Sequence, residues 1–541
     1  MRVKGVGPIP SRIMLVGEFP TEQEVSAGEP FLGAAGQELN RMLGEAGILR
    51  SECYVTNVCK VRPFGGRLEA FMALKKKDIT QEHRTLRERS VTKEVIEGYQ
   101  ELLVEIEMVQ PNIIVAFGNL AMWALTGRWG VLKWRGSQLS SDSSIKVIPT
   151  IHPSAVLREW PMRAVVLNDL RRVKRHMTSR QYDNVPAWKF QIRPSLMQVE
   201  QTLHKLLFDL NLGELWLDLD IETRHGHIET FGISWSRTEG ICIPFIARGH
   251  PEGYWSADEE AFIIHALYRL CTHPNALIRW QNGLYDAQYI HRHWHFIPNG
   301  RQDTMISQHS LFAALPKGLG FLGSMYADHY VYWKDEGKIA SDEPEEKRWT
   351  YNLQDCVYTR EVGEVLAASL ASMGLATVDA QQQELFYPVL RAMLRGVRVL
   401  PEIKGKMALD IQEELSKREA FLYSVLGHSI NPSSPKQMQT LFYEDLKQPP
   451  IYKRVVIQGR TMMRPTCDDE ALQKIAAREP LLRPITNAIA DIRTLYKFLN
   501  DFVLMPLDQD GRMRCSFNIA GDAGGKSAPY SYRLSSSKNP F

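Results

Sequence analysis

Three short acidic segments carry the chemistry that can be read from this sequence. In LDLDIETR (217–224), Leu217, Leu219 and Ile221 alternate with Asp218, Asp220 and Glu222. A period-two strand would turn the aliphatics to one face and the carboxylates to the other. In IRWQNGLYDAQYI (278–290), Asn282 and Asp286 are spaced i, i+4, and in RWTYNLQDCVYT (348–359), Tyr351 and Asp355 share that spacing. Each pair lies on one face if its segment is helical, the first only if Asn282 opens the helix. Close-set carboxylates repel one another unless cations neutralise them, and hard oxygen donors suit Mg²⁺ or Mn²⁺. Asp218 and Asp220 form a rival Asp-x-Asp pair on the same face. Asp303, in QDTM, reads as a structural carboxylate.

The elements that must position these groups follow from periodicity. In the first third, RIMLVGEFP, CYVTNVCKVRP, NIIVAF and KVIPTIHP read as strands, separated by the helix-period GQELNRML and a charged helical region (69–108). Strands alternating with helices predict a three-layer α/β domain with a mostly parallel sheet. Ligands of such sheets sit at the carboxyl ends of the strands, where Glu18, Asn57 and His152 fall. The basic run Arg171, Arg172, Lys174, Arg175 reads as a solvated helix end or a phosphate contact, and the stretch after it as a Pro-punctuated linker. Beyond about 376, long helical periods take over. Within them Ser434 is a good N-cap and Pro435 a good first helical residue, so that helix start would offer free N–H groups and Lys436 to a phosphate.

Composition narrows the class. The 541 residues are 44% hydrophobic, with 65 basic against 62 acidic side chains. That suffices for several packed domains, and any nucleic-acid contact must come from local patches. Seven cysteines without a CxxC pair argue against a disulfide framework. The N-terminus lacks the apolar core of a signal peptide, and the longest apolar run, NIIVAFGNLAMWAL, is too short to span a bilayer. A soluble cytoplasmic protein with no membrane partner is expected.

The ordered Asp-x-Glu-Thr, Asn-x-x-x-Asp and Tyr-x-x-x-Asp motifs resemble the DEDDy 3'-5' exonucleases, and residues 214–375 resemble the RNase H-like proofreading domain of family A DNA polymerases. The resemblance implies that Asp220, Glu222 and Asp355 hold one ion, and Asp286 with Asp220 a second. Tyr351 would orient the attacking water and Asn282 would touch DNA. LVGEFPTEQE, GEPFLGAAGQEL, VTNVCKVRPFGGR and TIHPSAVLR, in that order, resemble the iron–sulfur type of uracil-DNA glycosylase over residues 1–180. By that likeness Phe31 stacks on a flipped base, Asn57 reads its edge, His152 stabilises the departing base and Glu18 completes the pocket. No cluster is expected, because no cysteine precedes Cys53 and Val61 stands before Arg62 where the family has one.

Residues 181–213 then form the linker, and 376–541 resemble the helical thumb and the opening of the palm, with Lys436 and Arg533 on primer-template DNA. The catalytic palm and fingers motifs are not among these residues, so no nucleotidyl transfer is expected from this chain alone. A second chain carrying them is a candidate partner. The architecture fits a bacteriophage replication enzyme acting on single-stranded 3' ends. Its rivals are a stand-alone RNase D-type nuclease, and a first domain that only binds a base or docks a protein.

Overall fold

Alternating apolar residues build the first sheet. In the computed structural model, which describes residues 2–75, 78–181, 186–250, 252–335, 344–457 and 460–521, the main elements of this part are β1 (Ile13–Gly17), α1 (Ala34–Glu45), β2 (Cys53–Asn57), α2 (Lys93–Val109), β3 (Ile113–Phe117), α3 (Asn119–Thr126), β4 (Leu139–Ser140), β5 (Lys146–Thr150) and α4 (Met162–His176). The strand order is β2-β1-β3-β5-β4, all parallel except the β4 edge. Ile13 and Leu15 point into a core with Leu39 and Leu43 of α1 and Val166 and Leu170 of α4. Met14 and Val16 point into the opposite core with Leu102 and Ile106 of α2 and Leu120 of α3. Helices therefore cover both faces, as a sheet buried on both sides requires.

The second sheet is built from β6 (Lys189–Gln191), β7 (Leu215–Arg224), β8 (His227–Ser234), β9 (Glu239–Pro244), β10 (Ala276–Trp280) and β11 (Gly300–Asp303). Its order is β11-β10-β7-β8-β9-β6, with β7, β8 and β9 antiparallel to their neighbours in that meander and the other pairs parallel. Its helices are α5 (Leu196–Leu212), α6 (Ala257–Cys271), α7 (Leu284–Trp294), α8 (Thr304–Phe312), α9 (Leu319–Tyr326), α10 (Glu345–Ser372) and α11 (Ala376–Glu384). The long α10 crosses the middle strands. A Cβ at Gly232 of β8 would lie 2.4 Å from Asn352 Oδ1, so only glycine allows so close an approach.

Three expectations change here. The stretch read as a linker is folded: β6 joins the sheet edge, and α5 opens on the Ser195/Gln198 capping box and buries Val199, Leu203, Leu206 and Leu210. The Pro-rich approach to Ser195 hid that helical spacing. The compact unit also runs on to Leu390, past the expected end at 375. Gln383 bonds both the N–H and the C=O of Asp303, and Phe386 stacks on Trp280 at 4.8 Å. Finally, Arg172 is neither solvated nor open to phosphate. It is fully buried, donating to the carbonyls of Ser324, Ala327 and Asp328 at 3.1, 2.7 and 3.0 Å. The first sheet's layer is thereby joined to residues 315–335: Leu315, Phe321 and Met325 pack into one of its cores, Val331 and Tyr332 against the other.

A second unit spans Arg391–Phe517. It holds α12 (Pro401–Leu426), α13 (Pro435–Gln439), the hairpin β12 (Tyr452–Ile457) and β13 (Arg460–Pro465), α14 (Asp469–Arg478) and α15 (Arg483–Phe498). Leu415, Leu422, Met438, Phe442, Ile475 and Ile489 form its core. The helical character is as expected; the hairpin is not, since Lys453, Arg454, Arg460 and Arg464 obscure the strand alternation. Among the described residues no helix is long and apolar enough to cross a membrane.

Candidate functional site

Strand β7 and helix α10 bring the acidic motifs together. Asp220, Glu222 and Asp355 each offer an oxygen within 4.8 Å of the others. Asp286, in the first turn of α7, accepts the Ile221 N–H at 3.0 Å and so sits against the same strand. Burial, and the charges of Asp355, Glu222 and Asp286, hold Asp220 well above the usual carboxylate range. Burial, and then the Asp355 charge, push Glu222 up to about 7, against the pull of Arg348 and Lys334. Burial likewise pushes Asp286 up to about 7, opposed by its hydrogen bond from Ile221. Carboxylates held at this cost suit a cation, and an all-oxygen donor set suits Mg²⁺ or Mn²⁺. Tyr351 lies one turn before Asp355, its phenol pushed far up by burial and by the Asp355 and Glu222 charges.

The geometry resolves the two frames of β7. Asp218 is fully buried and paired with Arg279 at 3.0 Å and Arg360 at 2.7 Å, so both its oxygens are taken. Asp303 is structural, as its sequence position suggests. It accepts from the N–H groups of Asn282, Gly283 and Met305 at 3.1, 2.9 and 2.9 Å, fixing the entries to α7 and α8. Asn282 does not open the helix. It precedes the Gly283 cap with φ +61°, and only its backbone is tied to Asp303.

Three neighbours of the cluster escaped the sequence reading. Asn352 Nδ2 donates to Asp220 Oδ2 at 2.7 Å, Trp333 Nε1 to Asp355 Oδ1 at 2.6 Å, and Lys334 pairs with Asp355 and donates to Tyr351 Oη at 2.9 Å. Asn352 falls between Tyr351 and Asp355 and could have been found from the helix face. Trp333 and Lys334 lie on an aperiodic stretch with no local signal.

Three of the first domain's four residues, Phe31, Asn57 and His152, also converge, at the carboxyl ends of β1, β2 and β5. A Cβ on Gly17 would lie 2.2 Å from Asn57 Oδ1 and 2.7 Å from the Phe31 ring, so glycine lets the two meet over the strand end. Phe31 takes a left-handed φ of 57°, stacks on His152 at 5.7 Å and leans on Phe117. A non-glycine residue held there signals an over-determined turn. Phe31 and Asn57 are 3% and 4% exposed, so both side chains are covered by their neighbours. His152 Nδ1 accepts from the Ser154 N–H at 3.2 Å, and burial pushes the imidazole down to about 4. A neutral ring then carries its proton on Nε2, a donor for a nearby anion. Glu18 is otherwise engaged: its carboxylate accepts the Leu120 N–H at 2.9 Å at the start of α3, and burial raises its pKa.

In the second unit, Ser434 caps α13 by accepting from Gln437 N–H at 3.4 Å, with Pro435 next and Lys436 exposed beside it. Arg533 lies outside the described residues.

Known proteins resemble this chain in two ways. It is 24% identical over 272 residues to DNA polymerase I of Treponema pallidum, which is 49% of this chain and 26% of that protein. It is 29% identical over 169 residues to the DNA polymerase of Bacillus phage SP01, 31% of this chain and 16% of the phage protein. The chain thus spans only a minor part of either polymerase. The profile of the Uracil DNA glycosylase superfamily matches residues 4–171, which hold the first sheet and the Phe31, Asn57 and His152 cluster. Over 176 residues, 32% of this chain, it is 35% identical to the Type-4 uracil-DNA glycosylase of Thermotoga maritima, covering 81% of that enzyme. Through this segment the chain belongs to the uracil-DNA glycosylase superfamily.

Proposed function

We propose that the chain is part of a family A DNA polymerase acting in replication, with a metal-dependent 3'-5' proofreading exonuclease built on the second sheet and running on to Leu390. A base-recognition domain precedes it and thumb-region helices follow. The observation that carries this reading is the meeting of Asp220, Glu222 and Asp355 within 4.8 Å beside Tyr351. Asp220, Glu222 and Asp355 would hold one Mg²⁺ or Mn²⁺, and Asp286 with Asp220 a second. Bound ions supply an activated water and neutralise the leaving 3'-oxygen. Asn352 fixes the Asp220 carboxylate, and the Ile221 N–H fixes Asp286. With its pKa far above neutrality, the Tyr351 phenol keeps its proton and orients a water by hydrogen bonding rather than by taking a proton from it. Degradation of a 3'-labelled single strand tests this. Asp220→Ala and Asp355→Ala should each lower the Mg²⁺-dependent rate by several orders of magnitude, while Tyr351→Phe leaves part of it. Full activity in Asp220→Ala would refute the assignment.

For the first domain we favour binding of a flipped pyrimidine, supported by Phe31, Asn57 and a neutral His152 around one pocket. An amide offers both a donor and an acceptor to a pyrimidine edge, and the His152 Nε2–H can meet charge developing on a departing base. Asn57→Asp loses the donor and should weaken retention of uracil-containing DNA. Abasic-site assays on the same samples separate excision from binding alone, and equal retention of uracil-free DNA with no abasic sites would exclude both.

A further inference from the structure

Residues 330–335 run between the first domain and the carboxylate cluster and are held from both sides. Toward the first domain, the Tyr332 N–H donates to Ser137 Oγ at 3.1 Å, its ring packs on Trp134 at 5.3 Å, and Asp335 pairs with Lys133. Toward α10, Trp333 Nε1 donates to Asp355 Oδ1 at 2.6 Å and Lys334 pairs with Asp355 Oδ2. The Lys334 ammonium also donates to Tyr351 Oη at 2.9 Å and lies 4.9 Å from the centre of its ring. Both oxygens of Asp355 are therefore occupied, one by a neutral indole and the other by a cation. A divalent ion taking Asp355 as a ligand would meet a like charge within a few ångströms, in a cluster that is only partly exposed.

From this contact we infer that Lys334 is a resident counter-cation of the cluster, seated there by the first domain, which competes with the divalent ion for Asp355. The inference rests on the nuclease reading. In the ion's absence Lys334 balances part of the charge of Asp220, Glu222 and Asp355 and keeps Tyr351 in register. When the ion binds, the ammonium must leave Oδ2, so the strip held by Ser137 and Trp134 sets how much free cation the site requires. A purely structural ion pair predicts the opposite: removing the lysine would loosen α10 and weaken ion binding or leave it unchanged.

The test is Mn²⁺ binding to the full chain without DNA, followed by the electron paramagnetic resonance of free Mn²⁺ at neutral pH. Lys334→Met should tighten binding by about tenfold or more, the scale of removing one charge from a partly exposed site. Lys334→Arg, which keeps the charge, should bind like the parent. Should the methionine variant melt at a lower temperature, Lys334→Gln is read by the same criterion. Asp220→Asn should abolish binding. Unchanged or weaker binding in Lys334→Met, with Asp220→Asn still abolishing it, overturns this inference and leaves the nuclease reading in place. Binding indifferent to Asp220→Asn overturns both.

Discussion

Asp218 and Asp220 stand two residues apart on one face of β7, yet their partners differ: two guanidinium groups for the first, an amide and two more carboxylates for the second. Asp218→Ala would leave Arg279 buried without its ion-pair partner and Arg360 with only Glu364, at 3.6 Å. It should cost about 3–5 kcal/mol in urea unfolding. Asp220→Ala relieves repulsion and should not destabilise the ion-free protein, so the pair separates a stabilising carboxylate from a functional one. A pH dependence follows from the same cluster. Glu222 and Asp286 are pushed up to about 7 from 4.5 and 3.8, so between those limits the folded ion-free chain binds more protons than the unfolded one. Their contribution is therefore present at acid pH and is lost as pH rises through about 7. The melting temperature of the ion-free protein should fall across this window, and the rise on adding Mn²⁺ should grow with pH. The sequence exposed the acidic residues because their types and order survive without context. Residue types alone left Asp218 against Asp220 open, since Arg279 and Arg360 are distant in the chain, and only the Asp-x-Glu-Thr likeness chose Asp220; Lys334 was missed for the same reason of distance.

At the scale of elements, β7 and α10 hold the site only as long as the helix lies flat on the sheet. Gly232→Ala would set a Cβ 2.4 Å from Asn352 Oδ1 and 2.9 Å from Cys356 Sγ. Lifting α10 to relieve this should cost about 1–3 kcal/mol and lower exonuclease activity, although residue 232 touches no proposed ligand. Unchanged activity would mean that the helix can slide without moving Asp355. The continuous apolar run of β1, the alternation of β7 and the capped start of α13 were legible in sequence. The α5 helix and the β12–β13 hairpin were not: a proline-rich approach masked the first, and charged residues on an exposed ribbon masked the second. Phe31 belongs to the same class, because its left-handed turn is imposed by packing around it and not by its own preference.

At the scale of the whole molecule, Arg172 and the 315–335 segment tie the glycosylase-like layer to the nuclease-like sheet. Arg172→Ala removes three bonds to buried carbonyls. It should destabilise residues 1–390 by on the order of 3 kcal/mol and split their calorimetric unfolding into two transitions. A single unshifted peak would show that the tie carries little energy. The same lending of side chains has a historical consequence. Leu315, Phe321, Met325, Val331 and Tyr332 complete cores that begin three hundred residues earlier in the gene. A lineage that separated the two halves by recombination would inherit an unfilled hydrophobic hollow in one and an uncovered apolar face of α9 and the strip after it in the other. Such a fusion is entrenched: each later substitution that improves the fit makes the ancestral, independent forms harder to recover.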